Sequence, residues 1–366
     1  MSEKDGARGP LPRANPSLYG HEAAEAALLE AYTSGRLAHA WILGGPRGIG
    51  KATLAYRFAR FLLARPAAGE GGELLTAEPP ASLALPAQHP VFRRVASGGH
   101  ADLLTLERRF DEERRRLKSE ISVEEAREVA DFLHLTPAEG GWRVVVIDGA
   151  EEMSRSAANA VLKIVEEPPA RALVLMVSHA PGRLLATLRS RCRRLPLKPL
   201  DEAALARVLA ERLPGLEESE AELLKELADG SAGRALALAE EGGLALFREM
   251  MALLAALPRL DSAALHRLAE RTAGREGEDA YRTLTELLLW WLARFAKAAG
   301  TGRMPREIVA GEGRLLSRLA ASPRLDRWLE LWEKTGHLLA RQESVNLDRK
   351  QIVLNAFLSL ETAAQP

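Results

Sequence analysis

Residues 41–63 restrict the fold more than any other part of the chain. The apolar run Trp41-Ile42-Leu43 leads into a Gly-rich turn, and Lys51 opens a helical pattern that continues through Leu63. Strand, loop and helix in that order have few stable settings: the strand is buried and the helix covers it. The turn reads Gly45-Pro46-Arg47-Gly48-Ile49-Gly50-Lys51-Ala52-Thr53. Its glycines Gly45, Gly48 and Gly50 let backbone N–H groups converge on an anion. The helix N-terminus adds partial positive charge and Lys51 adds a full one. This spacing predicts a phosphate-binding loop.

Three further apolar runs, Leu103–Leu106, Val144–Ile147 and Leu173–Val177, and a weaker one at Leu195–Leu197, read as buried parallel strands. Helical patterns separate them, notably Val123–Leu135 and Ser154–Glu167, the latter stopped by Pro168-Pro169. The alternation predicts an α/β domain with a doubly wound, mainly parallel five-stranded sheet. From Asp201 on, only helical periods recur. The expected organisation is a loose tail over 1–18, the α/β domain over 19–199 with an irregular insertion at 65–100, a small helical domain over 200–245 and a larger helical domain over 246–366. Of the 366 residues, 50 are basic and 50 acidic, so no global field favours nucleic acid and such contacts need a local patch. The single cysteine, Cys192, excludes a disulfide framework and a multi-cysteine zinc site. No apolar leader and no apolar run near 18 residues occur, so a cytoplasmic protein without membrane contact is expected.

The phosphate loop departs from the pattern that serves hydrolysis. A hydroxyl ligand for Mg²⁺ belongs directly after the lysine, and Ala52 stands there. Thr53 is one position later, about 100° further round the helix. Weak ATP binding without hydrolysis is therefore expected, with Mg²⁺ binding left open. Asp148, 97 positions after Lys51, ends the strand Arg143–Ile147 and is read as an acid at the carboxyl end of a strand neighbouring the loop strand, facing the metal side of the crevice. Gly149 follows where a hydrolytic site would place Glu. Glu151 and Glu152 are expected to open the next helix, where acids suit the dipole.

Three segments, HAWILGGPRGIGKATLAYRFARFLL (39–63), VVVIDGAEEMSRSAANAVLKIVEEPP (144–169) and VSHAPGRLLATLRSRCRRLPLKPL (177–200), resemble the AAA+ modules of bacterial clamp loaders. The resemblance resumes at DGSAGRALAL (229–238) and NLDRKQIVLNAFLSL (346–360) and is thin over 65–120 and 245–340. It implies an AAA+ domain, a helical lid and a helical collar. It further implies a ring-like pentamer with gamma/tau and delta subunits, which places a sliding clamp on primed DNA. Ser190-Arg191-Cys192 matches the family's S-R-C segment, which implies that Arg191 is an arginine finger reaching the ATP site of an adjacent gamma/tau subunit. Ser178 falls where an active module senses the γ-phosphate, and Gly233 falls where motor subunits carry a nucleotide-binding arginine. The four-cysteine zinc site of many members has no counterpart in 65–100.

Taken without the resemblance, the residues leave two other readings open. One is a self-sufficient AAA+ ATPase using Lys51, Thr53 and Asp148, and the other is a DNA-binding module. The charge run 108–118 is expected to form a solvated helix or loop. Cys192 is expected to be a buried packing residue, His39, His100, His134 and His179 to be structural, and Trp290-Trp291 to lie in a bundle core.

Overall fold

The computed structural model describes residues 10–65, 80–112, 116–274, 276–321, 325–345 and 348–365. The start of the expected tail, residues 66–79 of the insertion and residues 113–115 of the charge run lie outside the described residues. The chain forms two compact units. One runs to Pro214 and takes in Asp229–Gly233, and the other comprises Gly215–Ala228 and the chain from Arg234 on.

In the first unit, strands β1 (Ala40–Gly44), β2 (Leu103–Leu106), β5 (Arg143–Asp148), β6 (Ala172–Ser178) and β7 (Arg193–Pro196) make one sheet in the order β2-β5-β6-β1-β7. Every pairing in it is parallel. Alternate residues of each strand face opposite sides, so each strand feeds two cores. Trp41, Leu43, Val144, Val146, Leu173 and Leu175 pack under α1 (Glu22–Thr33) and α2 (Lys51–Leu63). Ile42, Val145, Ile147, Val174 and Met176 pack under α4 (Val123–His134) and α5 (Arg155–Glu166). This is the doubly wound arrangement that the apolar runs predict, and it explains why those runs do not alternate with polar residues.

Two local expectations are corrected. The stretch 65–100 is not wholly irregular: α3 (Pro90–Ser97) forms there, with the His89 ring accepting the Val91 N–H and Pro90 in the first turn. Its eight residues are too few to show a period in sequence, and it forms because Val91, Phe92 and Val95 are buried. The run 108–118 is neither helix nor plain loop. Within it β3 (Phe110–Asp111) and β4 (Arg116–Leu117) pair antiparallel. Short helices α6 (Ala186–Arg191) and α7 (Glu202–Arg212) complete the unit.

The second unit is helical, from α8 (Glu218–Ala228), α9 (Ala232–Glu240, whose first two residues belong to the first unit) and α10 (Gly243–Ala255) through α11 (Ser262–Arg271), α12 (Glu278–Thr301), α13 (Glu312–Ala320), α14 (Leu325–Val345) and α15 (Arg349–Ala364). Trp291 stacks on Phe295, whose ring meets Trp328 edge-on at 4.8 Å, as expected of a bundle core. Trp290 meets Phe247 edge-on. No described helix is long and apolar enough to cross a membrane.

Asp102 fixes the entry to the two strands at the β2 side of the sheet. Its buried carboxylate accepts the N–H groups of Ala138 at 2.8 Å and Glu139 at 3.1 Å and lies 3.4 Å from Arg143. The Arg143 guanidinium in turn donates to the carbonyls of Phe132 and Thr136. Removing one partner of such a buried pair strands the other. Asp102→Ala is expected to cost about 3–5 kcal/mol and Asp102→Asn distinctly less, as measured by urea unfolding of the full chain.

Candidate functional site

The phosphate loop, residues 45–50, leaves β1 and is held almost entirely through its carbonyl groups. The Lys51 ammonium donates to the Pro46 carbonyl. Ser231 Oγ donates to the Arg47 carbonyl at 2.9 Å, and the Gly233 N–H donates to the Gly48 carbonyl at 2.8 Å. His21 Nε2 meets the Ile49 carbonyl at 2.6 Å, which makes Nε2 the protonated nitrogen. Four consecutive carbonyls thus have donors. Gly50 takes φ +103° as the residue preceding α2, a conformation that a side chain opposes. A Cβ on Gly233 would stand 3.0 Å from the Gly48 Cα, so this position can carry no larger residue without moving the loop.

Lys51 is 2% exposed. Burial lowers its pKa from 10.5 to about 8, against the pull of Asp148 and Glu151. Thr53 is buried in α2, and Ala52, beside Lys51, packs against the apolar core. Asp148 ends β5. Burial, reinforced by Glu107 at the end of the adjoining β2, pushes its carboxyl up to about 6, with Lys51 opposing. β5 is not the neighbour of β1, contrary to the expected placement: β6 lies between them, pairing Ser178 with Gly44 and Val177 with Asp148. Strand order depends on crossover connections that sequence spacing does not encode.

Ser178 ends β6 fully buried. Its carbonyl accepts the Gly45 N–H at 3.2 Å, while the buried Nδ1 of His179 has no hydrogen-bond partner among the described residues. This buried atom keeps hydrogen-bonding capacity for a polar ligand. Contrary to the expectation from their order, Glu151 and Glu152 do not open α5. They lie in a 3₁₀ turn, Ala150–Glu152, and Ser154 caps α5 instead. Glu151 accepts the His179 N–H at 2.8 Å and Glu152 pairs with Arg108 at 2.7 Å. Burial alone would raise the Glu151 carboxyl, but its own backbone N–H, the Ser178 hydroxyl beside it and the His179 N–H hold it below the usual range. Burial, aided by Lys51, lowers the His179 imidazole to about 4, so it is neutral at pH 7. His179 and Glu151 belong to the site electrostatically, and no spacing in the sequence announced them. Among the described residues no cluster of three or more His, Cys, Asp or Glu could hold a metal ion.

Arg191 is far from this loop. All strand C-termini of a parallel sheet lie at one edge, and the loop follows the C-terminus of β1. Arg191 ends α6 just before the N-terminus of β7, where Arg193 aligns with Trp41. The length of β7 alone separates the two edges by about 10 Å. The Arg191 side chain is 43% exposed and its Nε lies 2.9 Å from a Glu166 oxygen. Next to it Cys192 is buried, which pushes its thiol up to about 11 and makes it a packing residue.

A parallel α/β sheet in this order, a lysine loop, an acid two strands away and helices beyond define an AAA+ module. A family profile described as DNA polymerase III, delta subunit, matches residues 20–201, and the chain belongs to this clamp-loader family. It is 37% identical to the delta' subunit of Pseudomonas aeruginosa DNA polymerase III over 201 residues, 54% of each chain. It is 32% identical to the delta' subunit of Escherichia coli over 218 residues, 58% of this chain and 57% of that one. It is also 31% identical to the tau subunit of Salmonella typhimurium over 245 residues, 66% of this chain and 35% of that one. The matches span little more than half the length of the delta' relatives and about a third of tau.

A lysine buried at a depressed pKa penalises the folded state at every pH below that pKa. The penalty fades between about 8 and 10.5 as the unfolded chain also loses its proton. Lys51→Met is therefore expected to stabilise the chain by about 1–3 kcal/mol at pH 7. That gain should vanish by about pH 10.5, as read from urea unfolding at both pH values.

Proposed function

We propose that this chain is the delta' subunit of a bacterial DNA polymerase III clamp loader. In this reading it braces a pentameric ring with gamma/tau and delta subunits and lends Arg191 to the ATP site of a neighbouring gamma/tau subunit. It meets the sliding clamp and primed DNA through that complex. Residues 200–245 serve as the lid and 246–366 as the collar. The match to delta' subunits supports the assignment, and one observation carries the finger: Arg191 is exposed at the sheet edge opposite its own phosphate loop, where it cannot serve that loop. A guanidinium on a transferring phosphoryl group stabilises the charge spread over its oxygens.

The chain's own loop is the receiving half of such a site in reduced form. The amides of residues 47–50, Lys51 and the buried Nδ1 of His179 fit the phosphates of ATP in chemistry. Ala52 supplies no metal ligand, Gly149 no water-polarising acid, and Gly233 no lid arginine. Lys51 is turned onto the Pro46 carbonyl. We therefore assign weak nucleotide binding, little or no hydrolysis, and no zinc.

The test is ATP turnover by a loader reassembled from gamma/tau, delta and this chain, with clamp and primed DNA. A finger contributes about 10³–10⁵ in rate at its own site, so Arg191→Ala is expected to remove most of the stimulated turnover. The isolated chain should show no Mg-ATP hydrolysis above a Lys51→Ala control. Unchanged stimulated turnover would refute the finger. Hydrolysis by the isolated chain that Lys51→Ala abolishes would make it a motor subunit instead.

A further inference from the structure

We propose that Glu166 is the positioning residue for Arg191, drawing the guanidinium by its charge to the Nε side so that the Nη fork is presented outward. The inference rests on the finger reading above and adds to it the group that aims the finger. Glu166 is the last residue of α5, and its carboxylate lies 2.9 Å from Arg191 Nε. The remaining contacts of the guanidinium are slight: Nη1 reaches the Thr187 carbonyl at 3.4 Å and Ser190 Oγ at 3.5 Å, and Nη2 has no partner among the described residues. A carboxylate that took both Nη atoms side-on would occupy the face that receives phosphate. One on the Nε side leaves this face free. It also removes rotamer freedom that a long side chain would otherwise lose when phosphate arrives.

The surroundings hold Glu166 still. His39 Nε2 meets the Val165 carbonyl at 2.8 Å, which ties the end of α5 to the residue preceding β1. Arg194 directs Nε and Nη2 at the Arg189 carbonyl, each at 3.4 Å, and steadies the last turn of α6 from the adjoining strand. A carboxylate at a helix C-terminus also opposes the helix dipole. An acid kept there against that local preference implies a compensating use, and the Arg191 contact supplies one. Both side chains are about 40% exposed, so the pair is weak and a phosphate can compete for the fork.

The reassembled loader tests this through kcat and KM of clamp- and DNA-stimulated ATP turnover. Glu166→Ala is expected to lower kcat about three- to fivefold, the scale of an exposed ion pair, with KM for ATP unchanged. Glu166→Asp keeps the charge that pairs with the guanidinium and should retain part of the rate, and Glu167→Gln should match wild type. In the Arg191→Ala background, Glu166→Ala should change nothing further, as a double-mutant cycle requires of a residue that acts only through Arg191. Wild-type kcat for Glu166→Ala, equal losses for Asp and Ala, or a loss that persists without Arg191 would each overturn the proposal. If Arg191→Ala abolishes stimulation while Glu166→Ala is silent, Glu166 alone is refuted. If Arg191→Ala is itself silent, the finger and its positioning residue fall together. Thermal unfolding of each full-length variant separates these outcomes from loss of fold.

Discussion

Four consecutive carbonyls, from Pro46 to Ile49, each accept a hydrogen bond, and the geometry around the loop follows from them. The donors come from three places in the chain: the helix that the loop starts, the segment before α1, and the turn 231–233. A loop so bound cannot swing as a free Gly-rich turn would, because moving it leaves several buried polar groups unpaired. It also explains Gly233. The N–H of that residue must approach the Gly48 carbonyl, and any side chain would meet the loop backbone. This position serves to close the loop.

The polarity of the sheet divides the labour. Because its strands run parallel, all of their C-termini lie at one edge, with Lys51, Asp148 and Ser178, and their N-termini lie at the other, with Arg191. Helix α5 joins the two edges, from the turn that holds Glu151 to Glu166 beside Arg191. One edge can receive phosphate while Arg191 stays exposed at the other, and neither interferes with the other. The charges at the receiving edge are held under strain of burial: Lys51 is pushed toward neutrality at about 8 and Asp148 at about 6, each partly relieved by the other.

Most of the fold was legible because its signals are local. Apolar runs too long to alternate marked buried parallel strands, and helical periods, one of them stopped by Pro168-Pro169, separated them. What stayed hidden was short or relational. Helix α3 is eight residues long, and β3 and β4 are two each, below the length at which a period can be read. Glu151 and His179 are 28 positions apart and meet only because β5 and β6 are neighbours. The strand order that sets β6 between Asp148 and the loop strand is hidden in the sequence for the same reason.

The sequence by itself determined that a strand, a Gly-rich loop and a lysine-led helix open an α/β module, that the loop lacks a hydroxyl after its lysine, and that Arg191 stands in an S-R-C segment. These are statements about residue type and spacing, which the chain carries in one dimension. Only the tertiary structure decided that Lys51 bonds back to Pro46, that Gly233 closes on Gly48, that β6 separates Asp148 from the loop strand, and that Glu166 forms an ion pair with Arg191. Each of these depends on which strands become neighbours and which helix ends meet. That is settled by crossover handedness and the packing of two cores against one sheet, not by the order of residues.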